Sequence, residues 1–97
     1  MKIEKKLNGT SLVIALEGRL DTMTSPELEK TIKELTDAES LVIDCKDLEY
    51  VSSAGLRVLL GAHKSFDSKG GFVLKNVCET VLDILEVTGF NNILNIK

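Results

Sequence analysis

The chain has 97 residues, 43% hydrophobic and 28% charged, so we expect a single globular domain over residues 1–97. Its net charge of −3 comes from 12 basic and 15 acidic residues without a block of one sign, which argues against a nucleic-acid partner. No apolar stretch approaches the length of a membrane span and no signal peptide is apparent, so we expect a cytoplasmic protein without membrane insertion.

The cysteines and the histidine do not indicate a metal centre. Cys45 and Cys78 each fall in an apolar segment, which is typical of small buried side chains, and no CxxC occurs. His63 has no cysteine or histidine at ligand spacing and falls on the apolar stripe of a predicted helix. We therefore expect no metal and no cofactor.

The first two predicted elements are strands at residues 2–7 and 11–17. They flank Asn8-Gly9, a strong hairpin signal because both residues accept positive φ. The second strand is nearly all apolar, which indicates a place inside the sheet rather than at its edge. Residues 18–21 are predicted to form a loop.

The first predicted helix begins at Thr24. Thr24 and Glu27 fit a capping box, Pro26 suits the first turn, and Leu28, Ile32 and Leu35 recur at helical spacing. Its charged positions are those of a solvated face, so no function is inferred from them.

A third strand is predicted at residues 41–45, followed by a polar loop and a second helix that starts at Ser52-Ser53. That helix has one apolar face and ends near Lys69, before two glycines; the face comprises Leu56, Leu59, Leu60 and His63. A fourth strand follows at 72–75.

A third helix is predicted between Asn76, paired with Glu79 as a cap, and Gly89, with a terminal strand over 91–97. The order β-β-α-β-α-β-α-β predicts an α/β fold with a mixed, largely parallel sheet and helices packed against it.

Ser52 and Ser53 are adjacent hydroxyls at the start of a helix, where backbone N–H groups lack partners. Either serine can cap the helix, and one is enough. The other can carry a phosphate that the helix terminus would stabilise. On spacing alone, capping is the simpler interpretation.

Enzyme motifs are absent from the sequence: it has neither a P-loop nor GxGxxG nor GxSxG. Asp21, Asp44 and Asp47 are predicted near one another at strand ends, where sites form in α/β sheets, but such carboxylates are usually solvated or capping. The sequence therefore favours a binding module.

Three segments in order resemble the STAS domain, the family of sulphate-transporter domains and anti-sigma-factor antagonists. The central one is LVIDC followed by DLEYVSSAGLRVLL; GRLDTMTSPELEKTI precedes it and NVCETVLDILEVTGFNNILNI follows it. The resemblance spans the chain. The freestanding members of this family are bacterial anti-anti-sigma factors.

The resemblance implies a partner switch without enzymatic activity. The serine two positions before the motif glycine, here Ser53 before Gly55, would be the phosphoacceptor. Unphosphorylated protein would bind an anti-sigma factor, a serine kinase of the histidine-kinase-like ATPase type, and a PP2C-type phosphatase would reverse the modification. The expected partner-binding residues are Asp21, Thr22, Ser52, Ser53, Ala54, Gly55, Leu56 and Arg57.

The chain departs from the family pattern on both sides of Ser53. Many switch members have aspartate immediately before the acceptor and Ser or Thr after it, where this chain has Ser52 and Ala54. Two alternatives stay open. One is a constitutive STAS subunit of a larger assembly, such as a lipid-transport ABC system or a stress-sensing scaffold. The other, from a different class, is a small phosphoryl-accepting enzyme or receiver-like domain that uses Asp44.

Overall fold

A computed structural model of the chain describes residues 1–35 and 37–97. Over these residues the sheet has four strands in the order β1-β2-β3-β4. The strands β1 and β2 are antiparallel, whereas β2 with β3 and β3 with β4 are parallel. Their bounds are β1 Lys2–Asn8, β2 Ser11–Leu20, β3 Ser40–Val51 and β4 Gly71–Lys75.

Three α-helices connect the strands or follow them. They are α1 Ser25–Glu34, α2 Ser53–Asp67 and α3 Glu79–Thr88, and a short 3-10 helix follows at Phe90–Asn92. Helix α2 packs on β3 and β4, α3 packs on β3, and α1 packs on α2. None of the helices in the described ranges has the length and apolar character needed to cross a membrane.

The core lies between the helices and one face of the sheet. Side chains alternate along β2 and β3 because successive residues of a strand point to opposite faces. Leu12 and Ile14 are fully buried, whereas Val13 and Ala15, on the other face, are half-buried. Because β2 pairs with β1 on one side and β3 on the other, its predicted interior position is confirmed.

The predicted fold class is confirmed: strands and helices alternate after an opening hairpin, and the sheet is mixed and largely parallel. Gly9 has φ 63° in the hairpin turn, and Gly89 ends α3 with φ 80°. At both positions glycine adopts a left-handed conformation that a side chain would disfavour.

Two predicted loops are wrong, because β2 and β3 run further than their apolar patterns. Residues 18–20 continue β2, and residues 46–51 continue β3. Pairing between these strands resumes after register shifts next to Glu17 and Gly18, and Gly18 takes φ 106° there. The C-terminal ends of both strands therefore lie side by side at the start of α2.

Two of the predicted N-caps, Thr24 and Asn76, are also wrong. The Thr24 hydroxyl makes no capping bond and instead donates to the Arg19 carbonyl at 2.7 Å. Asn76 has φ 56° and lies before α3, whose first residue is Glu79. Its amide donates to Asp44. The Thr24 and Asn76 side chains therefore bond to other segments instead of capping α1 and α3.

The predicted terminal strand is reduced to a single parallel bridge between Leu74 and Ile96. Two backbone hydrogen bonds of 2.9 Å hold it: the Leu74 N–H donates to the Asn95 carbonyl, and the Lys97 N–H donates to the Leu74 carbonyl. Leu94 is buried and holds this segment against the core.

Candidate functional site

Ser52 and Ser53 have different environments. Ser52 is the N-cap of α2: its backbone is extended, with φ −90° and ψ 176°, and its hydroxyl accepts the Gly55 N–H at 3.3 Å. Ser53 is the first residue of the helix and is exposed. Its hydroxyl makes no hydrogen bond to any other residue that the structure describes. One hydroxyl is thus used by the fold, and the neighbouring one is available.

Gly55 allows the end of β2 to lie against the first turn of α2. A Cβ at this position would lie 2.8 Å from both the Leu20 carbonyl oxygen and its Cγ, and 3.0 Å from a Val51 methyl. The Ser52 N–H donates to the same Leu20 carbonyl at 2.8 Å. This close contact places Asp21, the next residue, beside the two serines.

Asp21 is a fixed carboxylate. One of its oxygens accepts the backbone N–H groups of Thr24 at 3.1 Å and Met23 at 3.0 Å. The bond from Thr24 is the main cause that lowers the pKa of Asp21, and the nearby Arg19 charge lowers it further. The carboxylate is therefore ionised at neutral pH, and the turn that it holds together presents Thr22 and Met23 to solvent.

Sequence reasoning missed Met23, which is 86% exposed. An exposed methionine beside polar loop residues offers an adaptable apolar contact to another protein. The available signal was an apolar residue outside every predicted apolar stripe.

It also missed the pair formed by Arg19 and Tyr50. These residues are partners across β2 and β3, and the guanidinium carbon lies 4.3 Å from the centre of the tyrosine ring. This distance is within the range of a cation–π interaction. The sequence does not indicate this pair, because its pattern predicts loops at both residues.

The other predicted partner-binding residues divide by exposure. Thr22 and Arg57 are exposed, as is Ser53. Ala54 is half-buried, while Gly55 and Leu56 are buried, with Leu56 5% exposed in the core. Leu56 therefore holds the helix in place and presents little surface to a partner.

The predicted grouping of Asp21, Asp44 and Asp47 is wrong. Asp44 and Asp47 lie within β3, well before its end at Val51, whereas Asp21 lies beside that end. Across residues 1–35 and 37–97, no three His, Cys, Asp or Glu side chains converge as a metal site would require.

The Asp44 carboxylate is held by hydrogen bonds to neighbouring groups of the fold. It accepts the Asn76 amide at 3.0 Å and the Lys46 N–H at 3.1 Å, and the bond from Asn76 is the main cause that lowers its pKa. A surface depression of about 610 Å³ lies nearby, lined by Lys46, Asp47 and Cys78 among others, and the serines are not part of it.

Comparison with known proteins places the chain in a family. The family model described as the STAS domain matches residues 2–97. The chain is 29% identical to the anti-sigma-B factor antagonist of Bacillus subtilis, with 100% of this chain and 91% of that protein covered. It is 30% identical to the protein of the same name from Listeria monocytogenes, with 100% and 89% covered.

Two solved structures show the same fold. The unphosphorylated anti-sigma factor antagonist SpoIIAA superposes with a TM-score of 0.83 at 18% identity, covering 99% of this chain and 88% of that one. The phosphorylated form of SpoIIAA, a Bacillus protein, superposes with a TM-score of 0.75 at 17% identity, covering 99% and 91%. Because the family model matches residues 2–97 of the 97-residue chain, the chain belongs to the STAS domain family.

Proposed function

We propose that this chain is an anti-sigma factor antagonist whose binding is controlled by phosphorylation of Ser53. One observation carries the proposal: Ser53 is exposed and its hydroxyl bonds to none of the described residues, while Ser52 caps the helix. A modification at Ser53 therefore leaves the cap in place. The family match and the names of the two relatives supply the class of partner.

The proposed cycle has two states. Unphosphorylated protein binds an anti-sigma factor in the cytoplasm and so releases the sigma factor for transcription. The anti-sigma factor is a serine kinase of the histidine-kinase-like ATPase type, and it phosphorylates Ser53 and dissociates. A PP2C-type serine phosphatase removes the phosphate. The chain itself is a binding protein, not an enzyme.

The partner would contact a surface that we call the serine face, defined as Asp21, Thr22, Met23, Ser53 and Arg57. The serine face is supported by four less exposed residues, Ser52, Ala54, Gly55 and Leu56. Of these, Ser52 caps α2, and Gly55 lets the segment that carries Asp21 lie close to the first turn of α2. The face combines a fixed carboxylate, an exposed thioether and a small neutral hydroxyl. It suits a partner that approaches the helix terminus closely.

Charge explains how the switch would operate. A phosphoserine carries about −1.5 to −2 charges at pH 7. Beside the ionised Asp21 it concentrates negative charge on a surface that matches a neutral hydroxyl, so the partner is repelled and the charge is costly to desolvate. A tenfold loss of affinity needs only about 1.4 kcal/mol. SpoIIAA has this fold in both forms, which supports a modification that the fold tolerates.

The first test measures binding of Ser53→Asp to the anti-sigma factor by calorimetry. We expect at least a tenfold loss of affinity with an unchanged circular dichroism spectrum. Ser65→Asp is the matched control, because Ser65 is exposed further along the same helix, and it should bind like the wild type. Equal affinity of Ser53→Asp and wild type would refute the charge mechanism.

The second test is the intact mass of the protein purified from its native cells. A phosphate-sized increment that maps to Ser53 and is absent from Ser53→Ala supports the switch. An unmodified mass in every growth state would instead favour a constitutive subunit of a larger STAS assembly. An acid-labile modification on Asp44 would favour the receiver-like alternative.

A further inference from the structure

Ser53 and Arg57 are neighbours on one face of α2. They are four residues apart, which places them one above the other on the helix surface. Helical side chains lean toward the N-terminus, so the longer Arg57 side chain extends in the direction of Ser53. Both residues are exposed, and no core contact prevents their meeting.

Arg57 is available for such a contact. Among residues 1–35 and 37–97 it forms no ion pair within 4.0 Å, whereas the ion pairs of this region all involve lysines. The other arginine near the serines, Arg19, is held over the Tyr50 ring at 4.3 Å. Asp21 accepts the Met23 and Thr24 N–H groups of its own turn through one oxygen, and Arg57 is not among its hydrogen-bond partners in the described residues.

The chemistry of the two groups is complementary. A guanidinium presents a planar fork of N–H donors that matches phosphate oxygens, and such charge-assisted pairs are stronger than neutral hydrogen bonds. An anion at the earlier position and a cation four residues later is the favourable order on a helix.

We infer that Arg57 binds the phosphoryl group of phosphorylated Ser53 within the same chain. The modification then has two effects on the serine face: it adds an anion, and it removes a cation that a partner would otherwise contact. The inference deepens the proposed function and rests on Ser53 as the acceptor.

The test uses the full chain with phosphoserine introduced at position 53 during translation. A phosphorus NMR titration from pH 4.5 to 8 gives the second pKa of the phosphate, which is ordinarily about 6. Three charges bear on it: Arg57 on α2 and Arg19 on β2 lower it, and Asp21 after β2 raises it. We expect Arg57→Gln to raise this pKa by about 0.15–0.4 units, the shift that corresponds to the strength of a helix ion pair.

Arg19→Gln is the matched control, since it removes the same charge from a side chain that is occupied with Tyr50. It should shift the phosphate pKa by less than Arg57→Gln does. Arg57→Lys should restore part of the shift, because the charge returns without the planar fork. An unchanged phosphate pKa in Arg57→Gln, or a larger shift in Arg19→Gln, would overturn the inference.

The outcome is separate from that of the proposed function. The titration needs neither kinase nor anti-sigma factor, so it tests the pairing whether or not cells phosphorylate Ser53. The native intact mass and the binding of Ser53→Asp test the switch itself.

Discussion

At Ser52 and Ser53, neighbouring residues of one type have different roles because only one has the backbone of an N-cap. Ser52 is extended, so its hydroxyl faces the first turn and accepts the Gly55 N–H. Ser53 is already helical and its side chain points to solvent. The sequence shows two equivalent candidates, and the backbone conformation distinguishes them.

This difference predicts unequal costs for two alanine substitutions. Ser52→Ala should lower the free energy of unfolding by about 1 kcal/mol, because an N-cap bond is lost. Ser53→Ala should stay within about 0.5 kcal/mol of the wild type, as is usual for exposed positions. Urea denaturation of both variants checks this, and equal losses would contradict the assignment of the cap to Ser52.

Two glycines of α2 give a second matched pair. Gly55→Ala should lower the free energy of unfolding by about 1–3 kcal/mol, because its Cβ would overlap the Leu20 carbonyl. Gly61→Ala should instead raise it by about 0.5–1 kcal/mol, since a Cβ there meets nothing within 4 Å and alanine favours the helix. Thermal melts of both variants give the signs, and a stabilising Gly55→Ala would disprove the close contact.

At the scale of elements, Asp44 and Asn76 join the middle of β3 to the turn after β4. The pKa of Asp44 is lower in the folded chain than its ordinary 3.8. Protonation therefore favours the unfolded state, and the stability contributed by ionised Asp44 is present above about pH 4. It is lost as the pH falls through the lower, folded-state pKa.

Asp44→Asn should therefore flatten the loss of stability between about pH 4 and pH 2.5. Asparagine keeps an acceptor for the Asn76 amide but has no charge to titrate. Urea midpoints at pH 6, 4, 3 and 2.5 measure the effect, with Asp67→Asn, an exposed position at the end of α2, as the control. If the two variants lose stability equally in acid, the bond from Asn76 does not stabilise the carboxylate.

The order of the elements from β1 to α3 was predictable from the sequence because apolar periodicity is a local signal. The strand ends were not, since residues 46–51 stay in β3 only by pairing with β2 after a register shift. The N-caps predicted at Thr24 and Asn76 were wrong for a similar reason. These side chains bond to Arg19 and Asp44, and a local sequence pattern does not show that these residues lie close by.

For the site, the family motif located Ser53, Gly55 and Asp21 in the chain, and the fold brings their segments together. It did not indicate Met23 or the Arg19–Tyr50 pair. Met23 belongs to no periodic pattern, and the pair exists only because β2 and β3 are long.

At the scale of the whole molecule, the reactivity of the two cysteines distinguishes unfolding of the domain from exposure of one thiol in the folded chain. Cys45 is 1% exposed, and burial raises its pKa to about 12, so its thiol cannot react without unfolding. Cys78 is half-buried at the start of α3, where its thiol donates to the Leu48 carbonyl at 3.3 Å.

Alkylation with iodoacetamide at pH 8 should therefore modify Cys78 first, with Cys45 reacting only as the whole domain unfolds. Peptide mass mapping over time separates the two sites, and 6 M urea should make their rates similar. Rapid modification of Cys45 in the native protein would show that β3 opens locally.

The free hydroxyl of Ser53 also bears on the lifetime of the protein. Proteolysis in cells largely follows the population of unfolded chains, which depends on the free energy of unfolding. Because Ser52 supplies the cap and a phosphate is favoured at a helix N-terminus, the modified form should unfold no more readily than the unmodified one. A cell would then change the active fraction of this protein quickly while its total amount stays constant.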